Sequence, residues 1–275
     1  MRVQSCRFLA RWTADRTSLV TRDDGPVPSS LRSLAALLLT AGLLAGCDRA
    51  TSSPEQKAAH LTSERCADLV VIGARGQAQT AKNVGGEIIA TTTALVDALP
   101  DGTSVRLEGL RYDASITESD AEYERHEVDG ARRLVDRIDE LADACPRSRL
   151  VLIGFSAGAE VVHRAVADLT EAGPVAVAAM IGDPLRNPDD RITDESYGTG
   201  RPEYPGYVGR GEPVSPALRD RTITFCVMGD EVCSSPEPAR SVEQSRRHKE
   251  FYEQPEHARE TARVMVDVLD HTLKP

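Results

Sequence analysis

The chain has 275 residues and a formal net charge of −10, with 40% hydrophobic and 28% charged residues. The apolar share allows a sizeable core and excludes a disordered chain, and acids and bases are interspersed rather than sorted into a basic face, which excludes a phosphate-backbone binder. The length fits one α/β domain of roughly 200 to 230 residues plus a processed or flexible end.

Taken from the N-terminus, Leu34 to Ala45 reads LAALLLTAGLLA behind Arg32. An apolar run of about 12 residues after a positive charge has the length of a secretory signal core and is short for a bilayer span. Leu44-Ala45-Gly46-Cys47 resembles the bacterial lipobox, in which the cysteine takes a diacylglycerol and becomes the mature N-terminus, so Cys47 is the predicted lipidation site. Residues 1–30 are polar and carry acids foreign to a signal n-region, which points to a translation start downstream of Met1. The expected division is leader and signal over residues 1–46, a flexible tether over 47–62 and a folded domain over 63–275. The product is an exported protein, anchored to the membrane through its N-terminal lipid or secreted.

Within the domain, apolar runs bounded by turn residues predict five strands: Leu69 to Gly73, Val105 to Leu110, Leu150 to Phe155, Val175 to Ile181 and Thr222 to Val227. Helical spacing lies between them. Ile88, Thr92, Leu95, Val96 and Leu99 share one face, as do Ala131, Leu134, Val135, Ile138, Leu141 and Ala142, and this second helix should stop at Cys145-Pro146. Ala159, Val162, Val166 and Leu169 mark a third helix, and Ala262, Met265, Val266 and Leu269 a last one starting near Pro255. Alternating units of this size imply a mostly parallel sheet of about five strands between helical layers. Residues 186–221 form a long irregular segment rich in Pro, Gly and Tyr, predicted to be functional or mobile.

Cys66, Cys145, Cys226 and Cys233 are the domain cysteines, and four allow three pairings. Chain order suggests Cys66 with Cys145, each just ahead of an apolar run, and Cys226 with Cys233 across a short loop. A metal site is the alternative, but the spacing has no paired C-x-x-C units and no nearby histidine. No metal or organic cofactor is expected.

Gly154-Phe155-Ser156-Ala157-Gly158 fits G-x-S-x-G at a strand end and a helix start, the context in which this pattern carries meaning. A tight strand-to-helix turn strains the serine backbone and raises its hydroxyl at the carboxyl edge of the sheet. No Lys-Ser/Thr follows as in a P-loop, and the glycine spacing is not that of a dinucleotide fold. A serine nucleophile needs a base, and the base an orienting acid, here expected later in the chain in the order acid then histidine. Asp230 lies between Cys226 and Cys233, while Asp183 is the rival acid, better placed to cap a turn before Pro184. Of the later histidines, His248 precedes the last helix, His257 is expected at the surface of its first turn, and His271 stands near the C-terminus; His163 sits on the helix behind the serine as a structural or surface residue.

The ordered segments CADLVVIGARG (from Cys66), CPRSRLVLIGFSAGAE (from Cys145), IGDP (from Ile181) and CVMGDEVC (from Cys226), followed by His248 and Tyr252, resemble the cutinase family of serine esterases, which includes acetylxylan esterases and actinobacterial cutinase-like proteins. The resemblance implies an α/β-hydrolase sandwich, the triad Ser156, Asp230 and His248, the disulfides Cys66–Cys145 and Cys226–Cys233, and an oxyanion hole from the backbone N–H groups of Gln77 and Ala157. The family usually carries Ser or Thr where this chain has Gln77, and Gln where it has Ala157. The missing hydroxyl, unless the Gln77 amide replaces it, removes a donor of the kind worth about 2.7 to 4 kcal/mol. Residues 186–221 are a further departure and a candidate flap over the site. The expected reaction is ester hydrolysis through an acyl-enzyme by a monomer acting on lipid, polyester or acetylated glycan. The rival class is a non-catalytic lipoprotein that binds lipid or wall glycan, and acyl transfer or thioester cleavage is open to the same triad.

Overall fold

The computed structural model describes residues 58–80, 84–234 and 242–273. The signal core, Cys47 and most of the expected tether lie outside the described residues.

The sheet has seven parallel strands in the order β1-β3-β2-β4-β5-β7-β6: β1 His60–Leu61, β2 Leu69–Ala74, β3 Ser104–Gly109, β4 Arg149–Phe155, β5 Val175–Ile181, β6 Thr193–Glu195 and β7 Thr222–Phe225. The five expected strands are all present. The two extra ones, β1 and β6, are edge strands of two and three residues, too short to leave a hydrophobic period in the sequence. β1 comes from the end of the segment read as tether, and β6 from the long irregular segment.

Period-two alternation sorts the strand side chains into two layers. Leu69, Val71, Val151, Ile153 and Phe155 face α1 (Gly86–Ala98) and α5 (Pro255–Leu273), whereas Val70, Ile72, Leu150 and Leu152 face α2 (Asp120–Ala144) and α3 (Ala157–Asp168). Both sheet faces are covered, so the central strands are apolar throughout, as a parallel sheet requires. α2 begins at Asp120 because Ser119 caps it, its side chain accepting from the Glu122 N–H, and it ends at Ala144 ahead of Pro146. The disulfides Cys66–Cys145 and Cys226–Cys233 are formed, the first tying the starts of β2 and β4.

The long segment is ordered by a buried cation. Arg186 donates to Asp194 on β6 (2.6 Å) and to the carbonyls of Tyr204 and Pro202. Further on, Gly206 N–H bonds Arg186 O, Tyr207 N–H bonds Val232 O and Val208 N–H bonds Pro184 O. The backbones approach so closely that a Cβ on Gly206 would lie 2.1 Å from Pro184 O.

Candidate active site

Ser156 links β4 to α3 with φ 55° and ψ −125°, a left-handed conformation costly for a residue with a side chain. The neighbouring glycines permit it. A Cβ on Gly154 would lie 2.2 Å from Gly158 O, and one on Gly158 would lie 1.8 Å from Ala74 O. Ser156 N–H is fixed by Ile181 O, and the first N–H groups of α3 are left without intrahelical partners beside the hydroxyl.

Asp230 is fully buried in the loop after β7, inside the Cys226–Cys233 bridge. Both of its oxygens lie within hydrogen-bonding distance of His248 Nδ1 (3.1 and 2.9 Å); Oδ2 also accepts from the Tyr252 hydroxyl (2.6 Å) and Oδ1 from Val232 N–H (2.9 Å). Burial by itself would raise the carboxyl, but His248, Tyr252 and Val232 together hold it below the usual carboxylate range. An ionised carboxylate only accepts, so Nδ1 of His248 carries a proton toward Asp230, with Nε2 on the opposite side of the ring. That Nε2 is buried and has no hydrogen-bond partner among the described residues.

His248 lies on α4 (Val242–Glu250), a short helix where the sequence suggested only a connection. Glu, Arg and Lys favour that conformation, and with little apolar spacing it leaves a weak signal. The imidazole stacks on Phe155, the residue before Ser156, with ring centroids 4.8 Å apart. Gly182 (φ 63°) opens the space, as a Cβ there would be 2.8 Å from His248 Cε1. Tyr252 completes this cluster. Its sequence signal was its place one turn beyond His248, but its hydrogen bond to the acid is a tertiary fact.

Asp183, the other candidate acid, is paired with a different histidine. Asp183 accepts from Leu185 N–H, the expected turn cap, and pairs with His163 Nδ1 at 2.6 Å, while His163 Nε2 bonds Glu212 O at 2.8 Å. Burial works against the His163 charge, yet Asp183 and Glu212 O raise its pKa to about 9, so it stands as a buried imidazolium. His257, expected at the surface, is half-buried and stacks on Phe251 at 3.6 Å. His271 is exposed.

Ser156 and Ala157 open into a cleft of about 380 Å³ that is also lined by Gln77, Thr117, Glu118, Asp120, Tyr123 and Tyr207. The Gln77 side-chain amide donates to Thr117 Oγ1 at 3.2 Å. From the long segment Tyr207 forms one wall. A larger charged groove of about 1100 Å³, lined by Arg75, Glu108, Arg133 and Arg137 among others, contains none of Ser156, Asp230 and His248.

The profile of the family described as cutinase matches residues 65–259, most of the chain and all of the site. This chain belongs to the cutinase family. A cutinase from Coprinopsis cinerea is 28% identical over 171 residues, covering 62% of this chain and 71% of that protein. A carboxylesterase from Mycobacterium tuberculosis is 27% identical over 182 residues, covering 65% and 73%. In structure, a cutinase-like protein from Cryptococcus superposes with a TM-score of 0.58 at 19% identity, over 76% of this chain and 98% of that one, a likeness of fold. The cutinase-family chain is accordingly a carboxylic ester hydrolase, and its two disulfides fit an oxidising compartment.

Proposed function

We propose that this cutinase-family chain is an exported serine esterase in which Ser156 attacks the ester carbonyl, His248 Nε2 takes the hydroxyl proton, and Asp230 fixes the imidazole and stabilises its charged form. The backbone N–H groups of Gln77 and Ala157 receive the oxyanion. Collapse of the tetrahedral intermediate, with the proton passing from His248 to the alkoxide, releases the alcohol and leaves an acyl-enzyme on Ser156. Water, deprotonated by His248, then attacks the acyl carbonyl, and the proton passes from His248 to Ser156 Oγ as the acid leaves. The observation that carries this reading is the unpartnered, buried Nε2 of a histidine whose Nδ1 is held by a buried carboxylate, stacked against the residue before a strained serine.

The cleft supports esters with a short acyl group. Its volume is at the low end for small-molecule sites, and its lining is mostly polar, with Glu118 and Asp120 included and only Ala157, Pro184 and Val232 aliphatic. The same carboxylates repel anionic substrates. Anchoring by lipid on Cys47 belongs to the proposal and rests on the Leu44–Cys47 motif; a Cys47→Ser variant should leave the membrane fraction.

The test is labelling with a fluorescent alkylphosphonate together with hydrolysis of p-nitrophenyl esters from acetyl to hexadecanoyl. Wild type should be labelled and Ser156→Ala should be neither labelled nor active. Equal rates for the two would replace the esterase by a binding protein on the same scaffold.

A further inference from the structure

We propose that Gln79 and Glu87 are positioning residues for the oxyanion site, holding the Gly76–Gln79 loop so that the Gln77 N–H faces the reacting carbonyl; this rests on the reading of Ser156 as nucleophile.

The loop after β2 is fixed on both sides of Gln77. Gly76 N–H donates to Gln79 Oε1 (2.8 Å), Ala78 N–H to Ala114 O (2.6 Å) and Gln79 N–H back to Gly76 O (3.2 Å). Among the described residues the Gln77 N–H alone in this stretch has no internal acceptor, which leaves it for a ligand. Ala78 takes φ 63°, a conformation that persists only where surroundings over-determine it. Upstream, Arg75 donates to Tyr112 O and Leu110 O, and its own carbonyl accepts from the Tyr112 hydroxyl.

Gln79 is the centre of that restraint. Its amide oxygen takes the Gly76 N–H while its amide nitrogen donates to Glu87 Oε2 at 2.6 Å, so the one amide serves as acceptor on one side and donor on the other. Glu87 is 3% exposed in the first turn of α1. Space for the amide comes from Gly85 (φ 97°), where a Cβ would lie 2.4 Å from Gln79 Oε1. The clamp also touches the nucleophile through one residue: a Cβ on Gly76 would meet the Phe155 ring at 3.0 Å, Ser156 Cβ at 3.2 Å and Gln79 Oε1 at 3.3 Å. Loop, amide and serine are thus packed in van der Waals register, and a shift of the amide shifts the oxyanion donor. The titratable groups facing Glu87 are Glu253, whose Oε2 lies 2.6 Å from the position of a Cβ on Gly86, and His248.

Gln79→Met keeps the side-chain volume and removes both bonds. It should lower kcat on p-nitrophenyl acetate by about 10- to 100-fold, since a displacement of about 1 Å is worth up to that factor, with KM within threefold and the melting temperature within a few degrees of wild type. The rate of Ser156 phosphonylation should fall in parallel. Gln79→Glu sets two carboxyls against each other and should be as slow; the exchange Gln79→Glu with Glu87→Gln rebuilds acceptor and donor in swapped places and should recover most of kcat, which a merely structural role would not produce. The proposal is overturned if Gln79→Met retains kcat within twofold, if the loss appears in KM alone, or if the exchange recovers nothing. Retention of the wild-type rate by Ser156→Ala overturns the nucleophile reading itself, and with it this one.

Discussion

Tyr252 donates its hydroxyl to Oδ2 of Asp230 at 2.6 Å while accepting the Val227 N–H at 3.2 Å, so one buried phenol ties the acid to the end of the strand that delivers it. A hydrogen bond to a charged group contributes about 1.5–3 kcal/mol. Tyr252→Phe should therefore lower kcat/KM roughly tenfold and shift the acid limb of its pH profile upward, because the Asp230 carboxyl loses one of the donors that hold its pKa down. An unchanged profile would mean that His248 and Val232 suffice.

Asp230→Asn leaves the loop shape but presents a donor to Nδ1 and turns the imidazole to the wrong tautomer. By analogy with the corresponding change in a serine protease triad, kcat should fall by about 10⁴ with little change in the melting temperature. Stopped assays at saturating p-nitrophenyl acetate read this directly.

The two disulfides should separate stability from activity. Cys66–Cys145 closes a loop with a sequence separation of 79 and Cys226–Cys233 one of 7. Chain-entropy arithmetic gives about 4.5 kcal/mol for the first and about 2.5 kcal/mol for the second. Replacing the first pair with alanines should cost more in urea unfolding, yet replacing the second should cost more in kcat, since it encloses Asp230.

Two buried groups should make stability fall as pH rises. Burial, together with Glu160, lifts Glu127 to about 9, so this carboxyl is neutral in the fold. Its folded value exceeds the ordinary 4.5, so its stabilisation is complete below pH 4.5 and is lost progressively up to about pH 9. His163, also near 9 when folded, stabilises fully below about 6.5 and loses that contribution as pH passes through 9. Each group contributes a slope of about 1.4 kcal/mol per pH unit within its window. Glu127→Gln should flatten the curve between pH 5 and 8, whereas His163→Leu should destabilise by about 3–5 kcal/mol by leaving Asp183 buried and unpaired.

Acyl preference should follow the cleft. Acetyl and butyryl esters should exceed hexadecanoyl in kcat/KM by at least about tenfold, each excluded methylene forfeiting up to about 0.8 kcal/mol of burial. Tyr207→Ala, which removes a wall, should narrow that ratio with Ser156-dependent activity retained.

How far the sequence reaches depends on whether the determinant is local. Strand and helix periods, the glycines flanking Ser156 and the cysteine bracket around Asp230 are written in consecutive residues, and through them the five central strands and both disulfides were legible in the chain alone, as were the candidates Ser156, Asp230 and His248 on which the proposed mechanism rests. Backbone sterics make such signals readable, since a turn this tight admits only glycine at positions 154 and 158. What only the tertiary structure decided are meetings between distant segments: Tyr252 on Asp230, His163 on Asp183, Gln79 between Gly76 and Glu87, and Tyr207 on the cleft. Each uses a polar residue whose sequence context allows a solvated role equally well, and only burial, by removing water as the alternative partner, selects the one it takes.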